Sequence, residues 1–360
     1  MRVAIIGSGS YGCVLANVIK NNGHDVKIWS FSEYEMKDIN EKHYCRYING
    51  EINKDIKCTL SLEDAVKDTD FIFIVTPSFA VRSTCKELSK YIVNQCIIIA
   101  SKGLEGSKVL TEVAAEEVNK DYEKSTIGVI SGPSHAEQIY DEVATYFNYN
   151  GPEEVKTLLS NEDIKLKFSD DPKGMQLAAA LKNIVAINVG EVLGLYNKGV
   201  KDFKKINFEK YSNVIAAVIV EGLKEITTVG KQMGSKSEIF YDYAGLGDLI
   251  TTTLSIHSRN LKCGIRIGQG DSLDDIKNEI GMTIEGLNAI DSAMQIISEY
   301  NLTCPLIRSL YNKVHKYDNM GSGDYSSNTR QPKLNEEDLT KKSDKFLTKS
   351  PDSSKTSLGR

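Results

Sequence analysis

Val3-Ala4-Ile5-Ile6-Gly7-Ser8-Gly9-Ser10-Tyr11-Gly12 is the stretch that decides the fold of this chain. Four apolar residues read as a buried strand, three glycines follow, and a helical pattern opens near Tyr11. In that setting Gly7 permits a tight turn, Gly9 lets the backbone approach a pyrophosphate, and Gly12 lets the helix close on the strand. Free N–H groups of the first helical turn then face the anion. Gly7, Ser8, Gly9, Ser10, Tyr11 and Gly12 are therefore read as a dinucleotide-binding loop, with an ordinary glycine turn as the alternative.

Further out, Val26-Lys27-Ile28-Trp29, Phe71-Ile72-Phe73-Ile74-Val75 and Ile97-Ile98-Ile99-Ala100 are short apolar runs separated by helix-length segments. That alternation predicts a parallel sheet covered on both faces. Ser61-Leu62-Glu63-Asp64 resembles a capping box, and Gly23 offers a helix C-cap. Ile127 to Ile130 reads as another strand, with weaker candidates at 144–149 and 164–168. From Pro172 the texture changes: 175–195, 209–234, 258–268 and 284–299 keep helical spacing. The expected class is α/β, with a doubly wound sheet domain over 1–170 and an all-α domain over 171–317. Past Tyr317 eight basic and seven acidic residues mix with Ser, Thr, Asn and Gly without an apolar period, so 318–360 reads as a disordered tail.

A chain of 360 residues, 41% hydrophobic and 26% charged, is long enough for two cores. Its net charge of −5 and lack of a basic run argue against nucleic acid as a partner. Seven scattered cysteines with no Cys-x-x-Cys argue against a zinc site or disulfide framework and favour a reducing, cytoplasmic setting. Met1-Arg2 leads straight into the first strand, and no apolar run approaches ~20 residues, so neither a leader nor a membrane span is expected.

Cofactor choice is read at Trp29-Ser30-Phe31-Ser32-Glu33, the end of the second strand. A 2′-phosphate calls for an arginine there, and none follows this strand before Arg46. NAD is favoured, with NADP possible. Phe31 is placed beside the cofactor, and Glu33 is the nearest carboxylate for its ribose, with a solvated loop acid as the alternative.

Ser101-Lys102-Gly103 and Ser131-Gly132-Pro133-Ser134-His135-Ala136 follow the carboxyl ends of strands, where open sheets bind ligands. Lys182-Asn183 interrupts an apolar helix running from Leu177 to Ile187. Metal-free alcohol oxidation needs a group that takes the hydroxyl proton as hydride leaves. A lysine, normally near ~10.4, serves only when burial or a neighbouring cation lowers its pKa. Lys102 converging on Lys182 would supply that cation; a solvated helix face is the alternative. Asp248 and Thr252 stand four apart, on one helical face, as a polar wall for substrate hydroxyls, with helix capping by Asp248 as the alternative. Ser258-Arg259-Asn260 offers a helix start with a guanidinium and an amide, which suits phosphate, with a bland surface arginine as the alternative.

The ordered set Gly-Ser-Gly-Ser-Tyr-Gly, Ser-Lys-Gly, Ser-Gly-Pro-Ser-His-Ala, Leu-Lys-Asn, Gly-Leu-Gly-Asp-Leu and Ser-Arg-Asn resembles the NAD(P)-dependent glycerol-3-phosphate dehydrogenase family from Arg2 to about Tyr317. The step from Asp248 to Arg259 and the Ser-Gly-Pro-Ser form look closer to its bacterial branch. The resemblance implies a Rossmann-type domain before the helical one and a role supplying glycerol 3-phosphate for phospholipid synthesis. It also implies Lys182 as proton acceptor and Lys102 polarising the reacting oxygen. Gly132, Ser134, Asp248, Ser258, Arg259 and Asn260, with Thr252 beside them, would surround the substrate. Ser10, Tyr11, Lys102, Ala136, Arg259, Thr283 and Glu285 would contact the dinucleotide, and the helical domain would form a homodimer. Three departures stand out: Tyr11 where tryptophan is common, no arginine after Trp29, and Glu221 where arginine is frequent. Two other readings remain open: a β-hydroxyacid dehydrogenase whose arginine reads a carboxylate, and a non-catalytic NAD sensor.

Overall fold

The structure is a computed structural model that describes residues 1–118 and 127–321. It begins with β1 (Arg2–Ile6), α1 (Ser10–Asn21), β2 (Asp25–Trp29), α2 (Glu33–Lys42), a small hairpin of β3 (Tyr44–Cys45) and β4 (Gly50–Glu51), and β5 (Lys57–Thr59). Then come α3 (Leu62–Val66), β6 (Phe71–Ile74), α4 (Val81–Leu88), β7 (Cys96–Ile99), the hairpin β8 (Leu104–Glu105) and β9 (Lys108–Val109), and α5 (Leu110–Val118). β10 (Ile127–Ser131), α6 (Ala136–Tyr140), β11 (Thr145–Asn150), α7 (Glu154–Leu159) and β12 (Ile164–Phe168) complete the strands. Helices follow: α8 (Pro172–Tyr196), α9 (Ser212–Gln232), α10 (Asp248–Leu254), α11 (Arg259–Gln269), α12 (Leu273–Ile280), α13 (Glu285–Glu299) and α14 (Pro305–Gly321).

Eight strands form one sheet in the order β12-β11-β10-β7-β6-β1-β2-β5. Every neighbouring pair is parallel except β10 and β11. Alternation sends Ile97 and Ile99 to one face with Ile72, Ile74 and the buried side of α8, and Ile98 to the other with Phe73, Ile5 and Phe147. Strand apolarity on both faces follows from helices covering both. The expected α/β architecture, a doubly wound sheet with helices after it, is what the chain adopts.

Parallel strands bring their carboxyl ends to one edge. The glycine loop after β1, Ser30 after β2, Thr76 beyond β6, Ser101-Lys102 after β7 and Gly132 to Ser134 after β10 all emerge there. Gly7 takes φ +125°, and a Cβ on Gly12 would lie 2.0 Å from the Gly7 carbonyl oxygen, so α1 starts hard against the turn. Gly23, at φ +86°, follows α1 as its sequence suggests. Ser61 caps α3 by accepting from the Asp64 N–H at 3.2 Å.

Asp171 caps α8 at Gly174 N, with Pro172 in the first turn. α8 has 25 residues and a mean hydropathy of 1.4 over its most apolar window, enough by length and composition to cross a membrane, and that window is wholly buried inside the protein. The expectation of no apolar run near that length therefore needs this correction: α8 is a central helix with protein on every side. α11 lies backbone to backbone across it. A Cβ on Gly264 would come 2.0 Å from Ile187 O, and one on Gly194 2.0 Å from Ile265 O. α14 continues to Gly321, past the point where the charged tail was expected to begin. Residues 322–360 of that tail lie outside the described residues.

Candidate active site

Lys182 sits in the third turn of α8 and is only 4% exposed. Its Nζ donates to Asp248 Oδ1 at 2.5 Å and to Thr252 Oγ1 at 2.6 Å. Asp248 opens α10, and the four-residue spacing puts both partners on the face that meets α8. Lys102, from the loop after β7, donates to the other carboxylate oxygen of Asp248 at 2.8 Å and approaches Gly132 O at 3.4 Å. Two ammonium groups thus share one carboxylate that is 2% exposed.

One carboxylate cannot neutralise two cations, and the titration of the cluster reflects that. Burial, opposed by Asp248 and reinforced by Lys102, lowers Lys182 to about 7. Burial also works against the charge on Lys102, but Asp248 and then Tyr11 hold it above the ordinary lysine range. On Asp248 the two lysines overcome burial and hold the carboxyl below its usual range. Lys102 stays a cation while Lys182 gives up its proton near neutrality. His135 is lowered by burial and then by Lys182, so it adds no third positive charge near neutral pH.

Around this cluster, Ser134 Oγ donates to Gly132 O at 2.9 Å and lies 3.3 Å from the Tyr11 hydroxyl. Tyr11 thereby joins the glycine loop to the substrate side. Ser258 caps α11 by accepting from Leu261 N, which leaves its hydroxyl proton free to donate. Arg259 begins the helix. Asn260 is tied into the helices: its amide donates to Asn183 Oδ1 at 2.8 Å and its oxygen accepts from Gly286 N at 2.9 Å. Those bonds tie α11 to α8 and α13 and hold Asn260 beside Arg259, using one of the two N–H groups of its amide.

The dinucleotide edge is equally specific. A Cβ on Gly9 would meet no atom within 4 Å, so the glycine there leaves open space at the start of α1. Thr76 Oγ1 is buried without a hydrogen-bond partner among the described residues, and its backbone N adjoins Gly7. Open space above a helix N-terminus with a spare hydroxyl beside it fits a pyrophosphate. Ala136 starts α6 directly after His135. Glu285 starts α13, just past Thr283, and accepts from Ser78 Oγ at 2.9 Å. Burial raises its pKa, against Ser78 and Arg259.

Phe31 is 83% exposed at the end of β2. Glu33 lies exposed in the first turn of α2 and pairs with Lys37 at 2.7 Å, as a solvated acid would. The acid that turns inward is Glu35, which accepts from Ser8, Ser30 and Tyr47. Glu221 is half-buried and accepts from Lys224 Nζ at 2.8 Å. Sequence reading missed Thr76, Ser78 and Glu35. Thr76 and Ser78 carried a signal, being polar residues just past a strand's carboxyl end.

Comparison with known proteins agrees with this geometry. Residues 2–150 match the family model for the NAD-dependent glycerol-3-phosphate dehydrogenase N-terminus, and residues 171–321 match that for its C-terminus. The chain is 35% identical over 320 residues to a glycerol-3-phosphate dehydrogenase (NAD(P)+) of Fusobacterium nucleatum, covering 86% of this chain and 91% of the relative. It is 35% identical over 325 residues to one from Streptococcus uberis, covering 88% and 92%. Its structure is similar to a crystal structure of glycerol-3-phosphate dehydrogenase from Coxiella burnetii, with TM-score 0.78 and 28% identity over 88% of this chain and 94% of that one. With both halves of the family model matched in order on one cleft edge, the chain belongs to the NAD-dependent glycerol-3-phosphate dehydrogenase family.

Proposed function

We propose that this chain reversibly interconverts dihydroxyacetone phosphate and sn-glycerol 3-phosphate with NAD(H), and that Lys182 is its proton acceptor and donor. The observation that carries this reading is the convergence of Lys182 and Lys102 on the buried Asp248 carboxylate at the dinucleotide edge. Bound nicotinamide supplies or accepts the hydride. Neutral Lys182 takes the hydroxyl proton during oxidation and returns it during reduction. Cationic Lys102 stabilises the negative charge that builds on the oxygen at carbon 2, in a site where burial strengthens the attraction. Asp248 and Thr252 fix the direction of the Lys182 amine. Arg259, Ser258 and the N-terminus of α11 hold the phosphate, while Gly132 and Ser134 line the path between substrate and cofactor.

In this reading 1–170 carries the dinucleotide and 171–317 completes the substrate pocket. Gly7, Ser8, Gly9, Ser10, Tyr11, Gly12, Phe31, Lys102, Ala136, Arg259, Thr283 and Glu285 serve the cofactor. The protein works in the cytoplasm as a homodimer formed through its helices, supplying glycerol 3-phosphate for phospholipid synthesis; light scattering of the purified protein tests the dimer. The activity is tested by loss of reduced-nicotinamide absorbance with dihydroxyacetone phosphate, dihydroxyacetone or a β-keto acid as substrate. Dihydroxyacetone phosphate should exceed dihydroxyacetone by at least ~10² in kcat/KM, because a bidentate arginine and a helix N-terminus read the phosphate. Preference for the keto acid would replace the substrate assignment.

A further inference from the structure

Two acids one turn apart on α2, Glu35 and Asp38, are held by different partners. Glu35 is 8% exposed, and its Oε2 accepts from Ser8, in the glycine loop, and from Ser30, the residue after β2, at 2.8 Å in the latter case. Its Oε1 accepts from the Tyr47 hydroxyl at 2.5 Å. Ser8 and Ser30 mark the carboxyl ends of β1 and β2, the place where a dinucleotide lays its adenosine ribose in this kind of sheet. Asp38 binds the cations next door: Arg46 Nε donates to its Oδ2 at 2.7 Å and Lys42 Nζ to its Oδ1 at 2.9 Å. The first arginine after β2 is therefore already paired.

We infer that Glu35 and Asp38 together set the choice of NAD(H) over NADP(H), Glu35 by placing a buried negative charge beneath the ribose and Asp38 by keeping Arg46 from a 2′-phosphate. This rests on the cofactor half of the proposed function and on no part of its substrate assignment. A carboxylate held by three hydroxyl donors cannot move away from an incoming phosphate without abandoning all three. A dianion at the ribose 2′ position would face this fixed, buried carboxylate, and like charges repel more strongly where burial limits solvent screening. NAD, with a hydroxyl there, escapes that repulsion. Arg46, the side chain best shaped to offset it, spends two of its N–H groups on Asp38.

Calorimetric titration of the full chain with NADH and with NADPH, without substrate, reads this directly, so failure of the substrate assignment leaves the result intact. Wild-type protein should bind NADH at least about tenfold more tightly than NADPH. Glu35→Gln should lower the ratio of the NADPH and NADH dissociation constants by about tenfold, and Asp38→Asn by a smaller factor of about three, through freed Arg46. Glu35→Asp keeps the charge and should stay close to the wild-type ratio. Equal affinity of the wild type for both cofactors, a ratio unchanged within about twofold in both neutral variants, or equal shifts in Glu35→Asp and Glu35→Gln would overturn the inference.

Discussion

The glycine loop and the lysine pair stand on the same edge of one sheet and are built in opposite ways. The loop is contiguous, from Gly7 to Gly12, and works through backbone: an open space at Gly9, a turn at Gly7, and the N-terminus of α1. The lysine cluster spans residues 66 and 146 positions apart in sequence, and it works through side-chain charge. A backbone site tolerates any side chain that fits and fails on a single added carbon. A charge site tolerates changes in shape and fails when the balance of charges is altered.

That contrast can be broken most severely at Lys182. Lys182→Ala should cut turnover on the order of 10³ while NADH titration shows binding retained, because the loop is untouched. Loss of NADH binding in step with turnover would mean that the two sites are not separable. Asp248→Asn comes next, at about 10² in kcat, since it leaves cationic Lys102 without its counter-ion and frees the Lys182 amine to swing. Its rate should not recover on raising NADH concentration.

Smaller effects belong to the backbone side. Gly12→Ala puts a carbon 2.0 Å from Gly7 O and should weaken NADH binding at least about tenfold, with kcat at saturating NADH far less affected. A kcat collapse instead would erase the distinction. Gly264→Ala forces α11 away from α8 and should cost about 2 kcal/mol in denaturant unfolding. Since α11 also carries Ser258 and Arg259, KM for dihydroxyacetone phosphate should rise with it while NADH affinity holds.

What could be read in advance divides along the same line. Strands with apolar runs and the glycine motif were legible because local spacing causes them, and the helices from Pro172 onward follow from their 3.6-residue periodicity. The antiparallel step between β10 and β11 was not legible, since strand direction depends on the chain's path and not on the residues within the strand. Glu33 and Glu35 are two apart on one helix, and only the entry angle of α2, set by the Ser32 cap, turns the second toward Ser8. The bonds of Asn260 to Asn183 and Gly286 were not legible either, because they join three helices that are far apart in sequence. Lys182 and Lys102 were individually legible as candidates. That Asp248 is their common partner, and not simply part of a polar wall, requires three elements to be folded against one another.

The central claim is that charge crowding in a buried pocket makes Lys182 a base at neutral pH, and the pH dependence of kcat/KM for glycerol 3-phosphate oxidation tests it most directly. A lysine lowered to about 7 is neutral above that value, so oxidation should rise with pH, turn over near 7 and then hold level. Reduction of dihydroxyacetone phosphate, which needs the protonated form, should instead fall above the same midpoint. Replacing Lys102 by Gln should move that midpoint upward, because Asp248 then pairs with Lys182 alone. A profile with its midpoint near the ordinary lysine value, or one that Lys102→Gln leaves in place, would contradict the account.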